Sequence, residues 1–286
     1  MKLFVCADME GATGIVHRDQ LVPEGGPAYA AGCRLLTGDV LAVVEGALRA
    51  GVTEVVVSEG HAHMRNIAIE DLPPEVRVVR GPARWEQKPL CQIAGLDGSF
   101  DLAALVGFHS RAGTPGGLLS HTWAGAIVHE LRLDGRPAGE TAINAAICAD
   151  VGVPISLVAG ADDLVREARA DLGEDVEFVT TKFALGMNLA EVWGPRRTGP
   201  ELMAAAGRAV ARVREGRARA CPAPRACVAE LDTHRREMAD RMALVPGLLR
   251  VGERTVRVEA VSATAALSTL WHGIHESFRE PAAWLA

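Results

Sequence analysis

The run Lys2-Leu3-Phe4-Val5-Cys6-Ala7 passes directly into Asp8-Met9-Glu10-Gly11-Ala12-Thr13-Gly14. A short apolar run bounded by Gly-rich polar residues reads as a buried strand giving way to a loop. Two carboxylates therefore stand just past a strand end. From there the pattern repeats. Residues 30–50 carry apolar side chains at helical spacing, with Gly51 as a stop. Residues 52–58 form the next strand and deliver Glu59-Gly60-His61-Ala62-His63 at its far end. Residues 76–79 suggest a short strand, and residues 102–108 a clear one that ends at His109 and a Gly/Pro-rich loop. Residues 127–133 and the turn Asp134-Gly135-Arg136-Pro137 give a strand and a tight reversal. Gly139-Glu140 then opens a helix to Asp150, residues 155–158 form another strand, and Ala161-Asp162-Asp163 starts a helix.

Strand, loop and helix alternate in this way to about residue 180, which predicts an α/β fold with a mainly parallel sheet flanked by helices. After Gly194-Pro195-Arg196-Arg197 the pattern changes to a helix over residues 200–215, a strand near Cys227, a hairpin around Gly252 and a final helix from Ser262. This places a soft boundary between a catalytic α/β portion, 1–195, and a smaller C-terminal α+β portion, 196–286, with one continuous domain as the alternative.

Composition narrows the function. The chain of 286 residues is 49% apolar and 23% charged, with 30 Gly and 15 Pro, inside the globular range. Its net charge is −6 and no basic block is interleaved with aromatics, which argues against a nucleic-acid partner. No apolar run reaches the roughly 18 residues of a membrane helix. The opening run meets Asp8 too soon for a signal peptide, so the expected compartment is the cytoplasm. Cys6, Cys33, Cys91, Cys148, Cys221 and Cys227 are scattered without a Cys-x-x-Cys pair and read as reduced, mostly buried thiols. The stretch 214–225 reads as a solvated loop.

In an open parallel sheet, ligand sites lie beyond the carboxyl ends of the strands. Asp8, His61 and His109 each hold that position, and Glu140 at a helix start can face the same space. Asp8-x-Glu10 turns both carboxylates to one side if the backbone stays extended. Together these groups can hold two divalent ions, which at about 3.5 to 4 Å apart would clamp an attacking hydroxide and polarise a carbonyl. Imidazole and carboxylate without thiolate suit zinc, with manganese or cobalt less favoured. Taken singly, each residue has an ordinary reading: Asp8 as a helix cap, His61 or His109 as a hydrogen-bonded core histidine, Glu140 as a first-turn acid. Their joint placement at element ends carries the argument.

The motifs Asp8-Met9-Glu10-Gly11, Gly107-Phe108-His109-Ser110-Arg111-Ala112, Thr114-Pro115-Gly116, Ser120-His121 and Arg136-Pro137-Ala138-Gly139-Glu140 stand in the order of a known family over the first 150 residues. The chain resembles the DppA-type D-aminopeptidases. The resemblance implies a dinuclear zinc aminopeptidase acting on short peptides such as D-Ala-D-Ala, with Asp8, Glu10, His61, His109 and Glu140 as ligands and Asp8 as the bridge. It also implies a ring-built homo-oligomer, typically a decamer, whose cavity admits small substrates. His121 matches the family's additional catalytic histidine, whose role is proposed as nucleophilic or acid–base. Chemically, proton transfer or oxyanion stabilisation is the favoured duty, since an ion-activated water is already a competent nucleophile.

Asn144, one helical turn after Glu140, is a candidate for the substrate amine, with bracing of a neighbouring loop as the alternative. Two departures from the family stand out. Glu59-Gly60-His61 replaces an Asp-Ser-His sequence, and the loop from His109 to His121 is one residue longer. His63 reads as a rim residue. His272 and His275 read as an ordinary helix face or oligomer contact, since the H-E-x-x-H spacing is absent. The alternatives left open are a metal-dependent amidase or other hydrolase and a non-catalytic peptide-binding oligomer.

Overall fold

Strand β1 (Lys2–Ala7) lies at the centre of the computed structural model, which describes residues 1–220 and 227–279. Because side chains alternate along a strand, Leu3, Val5 and Ala7 face one layer and Phe4 and Cys6 the other. Both faces are buried, as in a parallel sheet covered on two sides. The chain continues through α1 (Pro27–Arg49), β2 (Glu54–Glu59), β3 (Val76–Val79), β4 (Leu102–Phe108), β5 (Val128–Leu133), β6 (Arg136–Pro137) and α2 (Glu140–Asp150). Next come β7 (Ile155–Ala161), α3 (Asp162–Leu172), β8 (Glu177–Gly186), β9 (Leu189–Val192) and α4 (Pro195–Arg214). The remainder is β10 (Cys227–Thr233), α5 (Arg236–Met242), β11 (Leu249–Arg250), β12 (Thr255–Ala260) and α6 (Ala263–Ser277).

The first sheet has seven strands in the order β3-β2-β1-β4-β7-β8-β9, parallel except for the β8–β9 pair. The expected α/β class with a mainly parallel sheet is what the chain adopts. Helices α1 and α4 cover one face, packed so closely that a Cβ on Gly46 would stand 2.1 Å from the Met203 carbonyl oxygen. The other face is covered by α2, α6 and a second, antiparallel sheet of five strands in the order β11-β12-β10-β5-β6.

Three features differ from the sequence reading. The hairpin of β8 and β9 was not anticipated, because Glu177 and Lys182 interrupt the apolar pattern of β8; both are buried. Helix α4 begins at Pro195 rather than residue 200, since proline fits the first helical position, where no N–H partner is needed. The short α5 was also unread. In space, the change of pattern at residue 195 does not separate the sheets: β5 and β6 pair with the C-terminal strands, and α4 packs on α1. Cys6, Cys91, Cys148 and Cys227 are buried and Cys33 is half-buried, each outside any disulfide. Cys221 and the end of the 214–225 stretch lie outside the described residues. Among the described residues, no helix is long and apolar enough to cross a membrane.

Candidate metal centre

Strands β2, β1 and β4 are neighbours, so their carboxyl ends bring His61, Asp8 and His109 to one place. Two glycines make the approach possible. A Cβ on Gly11 would sit 1.6 Å from the Phe108 carbonyl oxygen, and one on Gly107 (φ +75) would sit 2.1 Å from that of Asp8. The loop after β1 therefore passes directly against the end of β4, carrying Glu10 with it. Glu140 arrives from another direction, at the first residue of α2 where the second sheet hands the chain back. His121 comes from the long loop after β4.

That loop is anchored to α3. Asp163 Oδ2 accepts from Ser110 Oγ (2.6 Å) and the Leu118 N–H (3.0 Å).

These side chains form three overlapping groups: Asp8, Glu10 and His61; Asp8, His109 and Glu140; Glu10, His109 and His121. Asp8 belongs to the first two groups and joins them. All but His121 are almost wholly buried, and the His121 side chain is 27% exposed. His61 Nδ1 lies 3.0 Å from Glu10 Oε2 and 3.3 Å from Asp8 Oδ1. His109 Nε2 lies 3.6 Å from Asp8 Oδ2 and 3.5 Å from Glu140 Oε1. His121 Nε2 lies 3.9 Å from Glu10 Oε1, and its ring stacks on that of His109 at 4.1 Å.

The opposite ring nitrogens reveal what the cluster lacks. His61 Nε2 meets the Leu21 carbonyl at 2.9 Å, His109 Nδ1 the Ser110 carbonyl at 2.9 Å and His121 Nδ1 the Leu119 carbonyl at 2.9 Å. A carbonyl accepts only, so each ring nitrogen that meets one must carry the proton. In neutral imidazoles the other nitrogen then points a lone pair at carboxylate oxygens. Lone pair against lone pair is unfavourable without a cation or an added proton between them. His109 Nε2, buried and without a hydrogen-bond partner, is the plainest case.

The titration of the cluster follows. Burial and then the charge of Glu10 raise the Asp8 pKa to about 7. For His109, burial opposes charging, but Glu140, Glu10 and Asp8 outweigh it and raise the pKa to about 9. Burial likewise opposes charging at His61, yet the carboxylates of Glu10 and Asp8 hold it well above the usual imidazole range. Glu10 is pushed up by burial, but His61 more than offsets this and holds it well below the usual range. Burial, then His109, lowers His121. Protons lodge where charge must be balanced, and divalent cations would displace them. The donor set fits zinc: imidazole and carboxylate, with the second nitrogen of each histidine tied to backbone.

Several supports were not read from the sequence. Lys182 is fully buried in β8, and its Nζ donates to the carbonyl oxygens of Glu10, Ala12 and Ile15, each at 2.6 Å. Asp39 accepts from the Thr13 N–H at 2.7 Å and Thr181 Oγ1 donates to the Gly11 carbonyl at 2.7 Å, so β8 and α1 together fix the loop that carries Glu10. Gln92 is buried, and its amide nitrogen donates to Asp8 Oδ2 (3.1 Å) and Glu140 Oε2. The Trp123 N–H donates to Glu140 Oε1 at 2.6 Å.

Asn144 is buried too, its amide donating to Gln92 Oε1 at 3.1 Å. Glu59 accepts from the N–H groups of Asn66 and Ile67 and pairs with Arg80, holding the segment after His61. His63 is exposed, and His272 stacks on Trp85 at 3.8 Å, away from the metal-type groups found among the described residues.

Known proteins similar to this chain identify its family. The model of the D-aminopeptidase family matches residues 1–272. A curated D-aminopeptidase from Bacillus subtilis is 32% identical over 199 residues, 70% of each chain. The solved structure of the Zn-dependent D-aminopeptidase DppA from Bacillus subtilis, described as a self-compartmentalizing protease, is similar at TM-score 0.90. It shares 27% identity, and the match covers 98% of this chain and 99% of that one.

Proposed function

Because the chain belongs to the D-aminopeptidase family, and is therefore a peptidase, we propose that it removes the N-terminal, D-configured residue of short peptides such as D-Ala-D-Ala at a two-zinc centre. Asp8, Glu10, His61, His109 and Glu140 would hold the ions, Asp8 being the carboxylate common to the group with Glu10 and His61 and the group with His109 and Glu140. The observation that carries this reading is the set of imidazole lone pairs turned towards buried carboxylates, with Asp8 shared by two ligand groups. Zinc ions at such a centre lower the pKa of water and polarise the scissile carbonyl.

The protein's own side chains divide the remaining work. His121 Nδ1 is tied to the Leu119 carbonyl, which leaves Nε2 facing the cluster from its most open edge. It takes and returns the proton that the leaving amine requires, and it can hydrogen-bond the developing oxyanion when protonated. Gln92 and the Trp123 N–H hold Glu140 and Asp8 in orientation, and Asn144 holds Gln92.

The solved relative's self-compartmentalizing assembly supports a ring-built homo-oligomer for this chain, with ten subunits as the expected number. Cysteines outside any disulfide agree with a reducing compartment such as the cytoplasm.

Turnover of D-Ala-D-Ala and L-Ala-L-Ala by metal-stripped protein, before and after zinc is restored, tests the proposal. Zinc-restored activity confined to the D peptide is expected. Preference for the L peptide would discard the stereochemistry and keep the peptidase. Activity that does not depend on zinc would discard the mechanism.

A further inference from the structure

Behind Gln92 and Trp123, which bond the cluster's carboxylates, lies a cavity of about 320 Å³. Its volume falls within the range of small-ligand sites. Among the described residues, no carboxylate, lysine or arginine lines it. Trp123, Trp271, His275 and Phe278 supply an aromatic wall, with Ala83 among the facing residues. The rings pack on one another: Trp123 lies 5.5 Å from Trp271, and His275 meets Trp271 edge to face at 4.5 Å. Burial lowers the His275 pKa, which favours an uncharged wall.

Three wall residues connect the cavity to the reacting groups. Gly60 precedes His61 in the chain, Gln92 bonds Asp8 and Glu140, and the Trp123 N–H bonds Glu140. Trp123 adopts φ +55, a region that bulky side chains rarely enter. Its backbone bond to Glu140 shows what holds it there.

Orientation follows from His121. This residue stands at the Glu10 end of the cluster, whereas Gln92 stands at the Asp8 and Glu140 end. A group that returns a proton to the leaving amine must lie beside the leaving peptide. The acyl half of the substrate then extends the other way, towards Gln92 and the cavity.

We propose that this cavity receives the side chain of the substrate's N-terminal residue, and that the enzyme prefers an aromatic residue there to alanine. A methyl group leaves such a cavity almost empty, while a benzyl group buries apolar surface against its aromatic wall. The inference rests on the aminopeptidase reading and specifies its substrate class.

The test compares kcat/KM for D-Phe-D-Ala and D-Ala-D-Ala with zinc-restored enzyme, the two L,L peptides being run in parallel. The ratio is read in whichever configuration is turned over. An aromatic preference of about tenfold or more is expected, since even one methylene in an apolar pocket is worth that much. Ala83→Leu, which narrows the cavity, and Phe278→Ala, which strips its wall, should each reduce the ratio several-fold, with zinc content and denaturant unfolding reporting that each variant is folded.

Equal or better turnover of the alanine peptide overturns the inference and leaves the aminopeptidase reading standing. So does an aromatic preference that neither variant changes. Failure to hydrolyse either peptide with zinc bound overturns both.

Discussion

The two sheets use the same chain for different ends. In the first, parallel strands β2, β1 and β4 run side by side, so their carboxyl ends deliver His61, Asp8 and His109 to one rim. In the second, antiparallel strands alternate in direction, and no three neighbours share an end. Its polar groups pair locally across the strands, as Arg132 does with Asp232 at 2.8 Å, while its inner face covers the core. Convergence of chemistry is thus a property of parallel order. The second sheet contributes indirectly, by setting where α2 begins and hence where Glu140 lies.

The largest effect should come from breaking the convergence itself. His109→Ala removes the only imidazole of the Asp8, His109 and Glu140 group, and both zinc content and peptide turnover should fall sharply. The loss should exceed the roughly 10- to 100-fold cost of disturbing a merely supporting partner. His121→Ala sharpens the contrast: zinc is retained, while turnover falls by about 10²- to 10⁴-fold. Loss of zinc from the His121 variant would mean that its assigned role is wrong.

Next in size is Lys182→Met, which strips three buried carbonyls of their donor. A destabilisation of roughly 3 kcal/mol or more is expected, since each buried carbonyl left without its donor costs about 1 to 3 kcal/mol. Denaturant unfolding measures it, and a change below about 1 kcal/mol would show that the loop after β1 holds itself.

Asp39 gives a smaller, pH-dependent effect. Burial outweighs its bond from Thr13 and raises its pKa to about 6, above the unfolded value. The native state therefore binds the extra proton, and stability falls as pH rises from about 4 to about 6. The penalty is complete above that window. Unfolding of Asp39→Asn lacks this slope, so the wild type should lose ground to the variant across the window. Parallel pH profiles would contradict the assignment.

The smallest effect belongs to the second sheet: Arg132→Leu should cost about 1 kcal/mol, as partly exposed ion pairs do, and leave zinc content unchanged.

How much of this could be read in advance follows from the range over which each feature is encoded. The strand preceding Asp8, the strand ending at His109 and the helix opening at Glu140 are local patterns, visible as apolar runs and turn residues. Their convergence could be inferred because a parallel sheet places strand ends together. Pairings between distant segments had no such signal. Leu131 pairs with Leu231 across the second sheet, and nothing near either residue specifies the other. Lys182 and Gln92 escaped notice for the same reason. A lysine in a strand or a glutamine in a loop is unremarkable until its partners, Glu10, Asp8 and Glu140, arrive from elsewhere. Glu59 also turned on tertiary context, since its longer side chain reaches Arg80 and the Asn66 N–H.

The central claim, that these residues form a two-zinc centre joined by Asp8, is tested most directly by anomalous scattering at the zinc edge from crystals of the zinc-loaded protein. The account predicts two peaks, one against Asp8, Glu10 and His61 and one against Asp8, His109 and Glu140. A single peak, or none at the cluster, would contradict it.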